Sequence, residues 1–370
     1  MPTDTSSAAS VAPKARALDD PRARRILRFV IGVTLATAYS SYVNWTASLL
    51  LLPLVIPFMA LPTPAAPSLR FAVWMVAVLI GWMWIGAALM LPLHSHQLFG
   101  FALVALIIFV TYTLQAEGKV TSACAEFVML GVTLIPAVGQ GNMDGGVEFA
   151  KGFSQAALAW FPVVWIAFAV LPGGVFPGLP NAPRVAGTSV DRGILALRPV
   201  LLLLPLFVYM LSSDNNIRYL IGYYQTAMIA QHASRATARK LAGDLFMATV
   251  IGGTGGAIMW WLLKLWPSWF WFVLVMALFS LVYATRIFTA SGGLQPNYYR
   301  WSYGLSTLVF IVFPAAMSQG FTGDDADMKF YQRILDYALV TSYSVVAVLV
   351  YDGVVDRLRA LRGRFARSAA

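Results

Sequence analysis

Apolar runs of bilayer-spanning length recur along this chain, separated by short polar breaks. A membrane core of about 30 Å is crossed by roughly 20 residues of helix. On that pattern the first half predicts spans at 24–40, 45–61, 69–91, 98–114, 121–138 and 152–171. The second half predicts 198–212, 217–232, 238–263, 268–285, 301–318 and 331–351, of which 217–232 is short and polar. The predicted fold is an all-α polytopic membrane protein with about 12 transmembrane helices. Around them, residues 1–21 form a disordered cytoplasmic tail, 22–172 one membrane half and 173–197 a proline- and glycine-rich cytoplasmic linker. Residues 198–352 form the second half and 353–370 a basic cytoplasmic tail.

The two halves echo each other. Ser40 to Asn44 (SSYVN) precedes the second span, and Ser212 to Asn216 (SSDNN) precedes the eighth. Gly86-Ala87-Ala88-Leu89-Met90 in the third span parallels Gly256-Ala257-Ile258-Met259 in the ninth. Ile135-Pro136-Ala137 with Gln140, Gly141 and Asp144 parallels Phe313-Pro314-Ala315 with Gln319, Gly320 and Asp324. An even number of spans per half gives both halves one orientation. The expectation is two parallel six-helix repeats, with ligand sites where they meet.

Composition agrees with the membrane reading: 59% of residues are hydrophobic and 11% charged, against roughly 25% charged in soluble domains. The net charge of +10 does not point to nucleic acid, because the basic residues gather at span ends and tails. With both termini cytoplasmic, 21 of the 26 Lys and Arg fall inside and 5 outside, the positive-inside asymmetry. The single cysteine, Cys124, excludes an intrachain disulfide and leaves the redox compartment open.

The most unusual stretch is Arg239 to Trp261, RKLAGDLFMATVIGGTGGAIMWW. Gly252, Gly253, Gly255 and Gly256 predict close helix packing, with Gly252 and Gly256 in small-xxx-small spacing. Asp244 lies about one turn inside the apolar run. It is either paired with Lys240 four residues earlier or a protonatable, coupling acid. Glu126 and Asp336 are further proton-coupling candidates, each beside a cation (Lys119, Arg333) that also suits a rim salt bridge. Arg218 stands before Tyr223, Tyr224 and Gln225. That group suits an aromatic carboxylate, or an interfacial Arg in an aromatic belt. His94 and His96 lack a third ligand and predict no metal. Asp324, Asp325 and Asp327 lack calcium-loop spacing. No nucleophile elbow, phosphate loop, zinc-hydrolase or haem motif occurs, so neither an enzyme nor a cofactor is expected.

ATARKLAGDLFMATVIGGTGGAIMWWLL, with RRILRFVIGVTLATAYSSYVNW and the proline-bearing LLLLPLVIPFMALPTP, resembles the fusaric acid resistance and aromatic acid exporter superfamily. The resemblance covers most of residues 22 to 355. Longer members carry cytoplasmic domains after each half, which this chain lacks, so it looks like the short branch. The resemblance implies a bacterial inner-membrane exporter of small aromatic or amphipathic organic acids, proton-coupled, alongside a periplasmic adaptor protein. Arg239, Asp244, Gly252 and Gly256 match its glycine-rich helix. The second expectation is a non-transporting accessory or scaffold subunit of an envelope efflux assembly. Glycine seams join helices within one chain or between copies, which leaves a homo-oligomer open.

Overall fold

The structure is a computed structural model describing residues 20–43, 48–61, 65–172, 189–212 and 235–319. It also describes Tyr223, 226–228 and individual helical positions between 328 and 357. Among the described residues the chain is helical, with no strand beyond an isolated bridge between Phe288 and Leu294. Seven of these helices are long and apolar enough to cross a membrane. The span expected at 217–232 lies largely outside the described residues, whereas most positions of the span expected at 331–351 are described and helical.

Local chemistry sets most helix starts. Helix α1 (Pro21–Val43) begins with proline at its first position, and the Asp20 carboxylate accepts from the Arg22 N–H at 2.9 Å. A 3₁₀ turn at Ser48–Leu50 leads into α2 (Leu51–Ala60), shorter than the span expected there. Ser68 caps α3 (Leu69–Ser95), and α4 (Gln97–Ala116) follows after a break at His96. Thr121 caps α5 (Ser122–Met129), which continues through a π-helical turn at Leu130–Leu134 into α6 (Ile135–Gly139). Pro136 explains that turn. It has no N–H for the residue 132 carbonyl, and its ring would crowd that carbonyl, so the backbone widens just before it. Asn142 caps α7 (Met143–Val170) at the Asp144 N–H, 3.0 Å away, starting the sixth span well before residue 152. Helix α8 (Ser189–Leu211) begins inside the segment expected as linker. Helices α9 (Arg235–Leu265), α10 (Trp269–Ile287) and α11 (Tyr298–Gln319) complete the described bundle.

Two helix pairs dominate the packing: α9 on α11, and α3 on the continuous α5–α6 segment. Each crosses at glycines. A Cβ on Gly86 of α3 would overlap the Gly131 carbonyl oxygen, and one on Gly131 would overlap that of Trp82. A Cβ on Gly252 of α9 would stand 2.5 Å from the Gly304 carbonyl oxygen on α11. Backbones meet this closely only where no side chain intervenes. The sequence pairs Gly86 with Gly256, but the glycine at the second crossing is Gly252, one turn earlier. Longer-range packing joins α1 to α10 and α4 to α8, while α2 lies against α7 and α11.

The basic cluster at the start of α1 is built into the bundle. Arg25 and Arg28 are buried. Arg25 donates to the carbonyls of Ala60 (3.1 Å), Leu61 (3.0 Å) and Gly292, and lies over the Phe288 ring. Arg28 donates to the Leu171 carbonyl at 2.9 Å and Arg22 to that of Thr285 at 2.9 Å. Helix C-termini leave carbonyls without intrahelical partners and carry partial negative charge. The arginines of α1 therefore tie its start to the ends of α2, α7 and α10. These are segments that the charge count places on a single side of the membrane.

Candidate functional site

A pocket opens between α2, the α5–α6 segment, α7 and α11. It brings elements of the first half against α11 of the second. Leu50, Pro53, Leu54 and Pro57 form the α2 side. Glu126, Phe127, Leu130 and Leu134 form the α5–α6 side, with Phe153 from α7. Tyr303, Ser306, Thr307 and Phe310 form the α11 wall. These four recur at helical spacing, so one stripe of α11 faces the cavity. Prolines in α2 and the π turn keep the backbone irregular on the facing walls, which suits a cavity rather than a dry helix seam.

An aromatic cluster stiffens the wall. Phe58 of α2 and Phe127 of α5 meet Trp160 of α7 edge to face, at 5.5 and 6.3 Å between ring centroids. The polar groups are few and mostly committed. The Tyr303 hydroxyl donates to the Met228 sulfur at 2.7 Å, and the Ser306 hydroxyl to the Ser302 carbonyl at 3.2 Å. The Thr307 hydroxyl has no hydrogen-bond partner although the residue is 1% exposed. Such a group costs roughly 1–3 kcal/mol unless something else satisfies it. Glu126, half-buried, lies within electrostatic range of Tyr112 on α4.

Asp244 belongs to a neighbouring arrangement. It is 2% exposed and accepts from Arg300 Nε of α11 at 2.5 Å. The expected partner, Lys240, is exposed instead, and the pair joins two helices rather than two turns of one. Arg300 was missed as a partner. The available signal was a base immediately before the eleventh span, on the same side as an acid about one turn into the ninth. Arg300 stands one turn before Tyr303, so its charge lies beside the α11 wall but is matched by Asp244.

The glycine cluster divides. A Cβ on Gly252 or Gly255 would crowd the Gly304 carbonyl oxygen or the Tyr283 hydroxyl, each at 2.5 Å. At Gly253 and Gly256 it would meet only ordinary contacts at 3.6 Å. Tyr223 is fully buried near Tyr112 and Thr133 rather than presented at a surface. Arg218, Tyr224, Gln225 and Asp336 lie outside the described residues, so the structure does not bring the expected carboxylate site together. His94 and His96 are exposed, and among the described residues no three metal-ligating side chains gather. Compared with protein-family models, curated proteins and solved structures, the chain matches none.

Proposed function

We propose that this chain is a secondary transporter of the bacterial inner membrane that exports small amphipathic molecules through the pocket between its halves. The observation that carries this reading is the pocket itself. It is concave and mostly apolar, with a few convergent polar groups, and it sits where elements of the two halves meet. The superfamily resemblance supplies export, aromatic or amphipathic organic acids as substrates, proton coupling and a periplasmic adaptor as partner.

The reading includes about twelve spans in two parallel repeats, with both termini cytoplasmic. The exchanged packing supports the repeats: α1 lies on α10, while α8, its counterpart in the second half, lies on α4, the counterpart of α10. The two glycine crossings, α3 with α5–α6 and α9 with α11, fall on corresponding helices. Of the proton-coupling candidates, Glu126 is best placed, because it lines the cavity. Asp244, already held by Arg300, would act by releasing that arginine.

Inside-out vesicles containing the protein test this reading. Accumulation of one or more aromatic carboxylates or amines, dependent on an imposed pH gradient and lost in Leu54→Trp, is the expected result. No flux of any compound from folded protein would overturn it and favour the accessory-subunit reading.

A further inference from the structure

Helix α9 packs in two parts. Among the described residues, Leu241, Ala242, Leu245 and Ala248 of its first part are buried in a small cluster with Leu202, Met228 and Tyr303. Met259, Trp260 and Leu263 of its second part are buried in the main core of the bundle. The boundary between the two clusters falls on the glycine segment, residues 252–256.

Close contact accounts for only two of those glycines. Gly252 and Gly255 have no room for a Cβ, whereas Gly253 and Gly256 would carry one at ordinary contact distance, 3.6 Å. Alanine would hold the helix better at those two positions, so packing does not explain them and an ability to bend does. A side chain also enters the backbone ladder here. The Tyr283 hydroxyl of α10 donates to the Ile251 carbonyl at 3.0 Å. That carbonyl is the intrahelical acceptor for the Gly255 N–H, and a side chain inserted into this ladder is a recognised cause of helix bending.

The first part of α9 is fastened by one buried acid and touches the pocket wall. Asp244, 2% exposed, accepts from Arg300 of α11. Tyr303 belongs both to the small cluster and to the pocket lining. Thr307, another lining residue, lies directly against the glycine segment: a Cβ on Gly252 would stand 2.7 Å from the Thr307 Cβ. Movement of this part of α9 is therefore transmitted to the α11 wall.

We propose that α9 is a latched hinge. Residues 235–251 swing about the glycine segment when the Asp244–Arg300 pair parts, and the swing reshapes the Tyr303 and Thr307 wall of the pocket. This rests on the transport reading above and supplies its moving element.

Double electron–electron resonance on the full chain in lipid nanodiscs tests the hinge, in a Cys124→Ala background. One spin-label pair, Lys240→Cys with Arg70→Cys, runs from the first part of α9 to the start of α3, at exposed positions. A second, Leu265→Cys with Leu98→Cys, runs from the far end of α9 to α4, also at exposed positions. Asp244→Asn should add a second distance to the first pair. A bend of about 20° over an arm of about 18 Å, from residue 252 to 240, displaces it by about 6 Å. The second pair should keep one distance. Adding Gly253→Ala and Gly256→Ala should shrink the displaced population about fivefold, because alanine holds helical geometry better than glycine.

An unchanged first pair overturns the hinge. So does equal displacement of both pairs, which is α9 moving as a rod, and so does a displaced population that the two alanines leave untouched. Should Asp244→Asn fail to fold, Arg300→Gln breaks the same pair at its more exposed member and decides instead. The distances do not depend on flux. A swing in protein that transports nothing removes the transport reading and leaves the hinge, whereas flux without a swing removes the hinge and leaves the transport reading.

Discussion

Replacing Gly86 by alanine adds one carbon where α3 meets the π turn, and the geometry fixes its consequence. The new Cβ would overlap the Gly131 carbonyl oxygen and lie 2.7 Å from the carbonyl carbon and 3.1 Å from the Ile135 Cβ. Carbon–oxygen contacts relax at roughly 3.3 Å, so the two backbones must part by well over 1 Å. Neither obstacle is the tip of a flexible side chain. Overpacking of this kind costs about 1–3 kcal/mol, against a helix-propensity gain of at most about 1 kcal/mol. Gly81, five residues earlier on the same helix, is the control, because a Cβ there meets nothing within 4 Å. Thermal unfolding in detergent, followed by tryptophan fluorescence, should show Gly86→Ala melting several degrees below wild type. Gly81→Ala should melt at or above it. A Gly86→Ala protein as stable as wild type would refute the close crossing, and with it the argument that glycines set the helix spacing here.

The same logic separates Gly252→Ala, which should destabilise by about 1–3 kcal/mol, from Gly256→Ala, whose Cβ meets only ordinary contacts at 3.6 Å and upward; the same melting assay distinguishes them. Asp244→Asn or Arg300→Gln breaks a pair whose acid is buried, and each should cost up to about 3 kcal/mol. The exposure of Arg300, 36% at its side chain, lowers that figure, and the double variant should recover part of the loss in a double-mutant cycle. Thr307→Val removes a hydroxyl that has no partner, so stability should hold or rise. Accumulation of a transported aromatic compound in inside-out vesicles should nonetheless weaken, whereas unchanged accumulation would mean the hydroxyl faces no substrate.

The sequence made legible what depends on local chemistry and hydrophobic length. Span positions from Leu69 to Ala116 and from Trp269 to Ile287 follow from apolar runs bounded by Ser68, His96 and Ser268. The glycines of α9 announced close packing. Which glycine lies at the crossing was not legible, because membrane helices are apolar all round and their periodicity does not mark a facing side. Gly131 and Gly304 lie alone in their spans and carry no pattern. The Asp244 partner was sought on its own helix, where spacing is readable, and found 56 residues away, where only tertiary topology decides. The α1 arginines read as a cytoplasmic flank, and their role in tying down three helix ends depends on where those ends converge. Glu126 was legible as an acid inside a span. Its place in a cavity depended on α11 arriving opposite, with Tyr303, Ser306 and Thr307 on the facing stripe.

The most direct test of the central claim asks whether the seam pocket is the transport path. Phe310→Cys places a thiol on the α11 wall, and the native Cys124 is buried. In inside-out vesicles, a membrane-impermeant thiol reagent is added with and without a transported substrate, and labelling and flux are followed together. The account predicts that labelling at position 310 blocks accumulation and that bound substrate slows the labelling. Complete labelling with undiminished flux would contradict it.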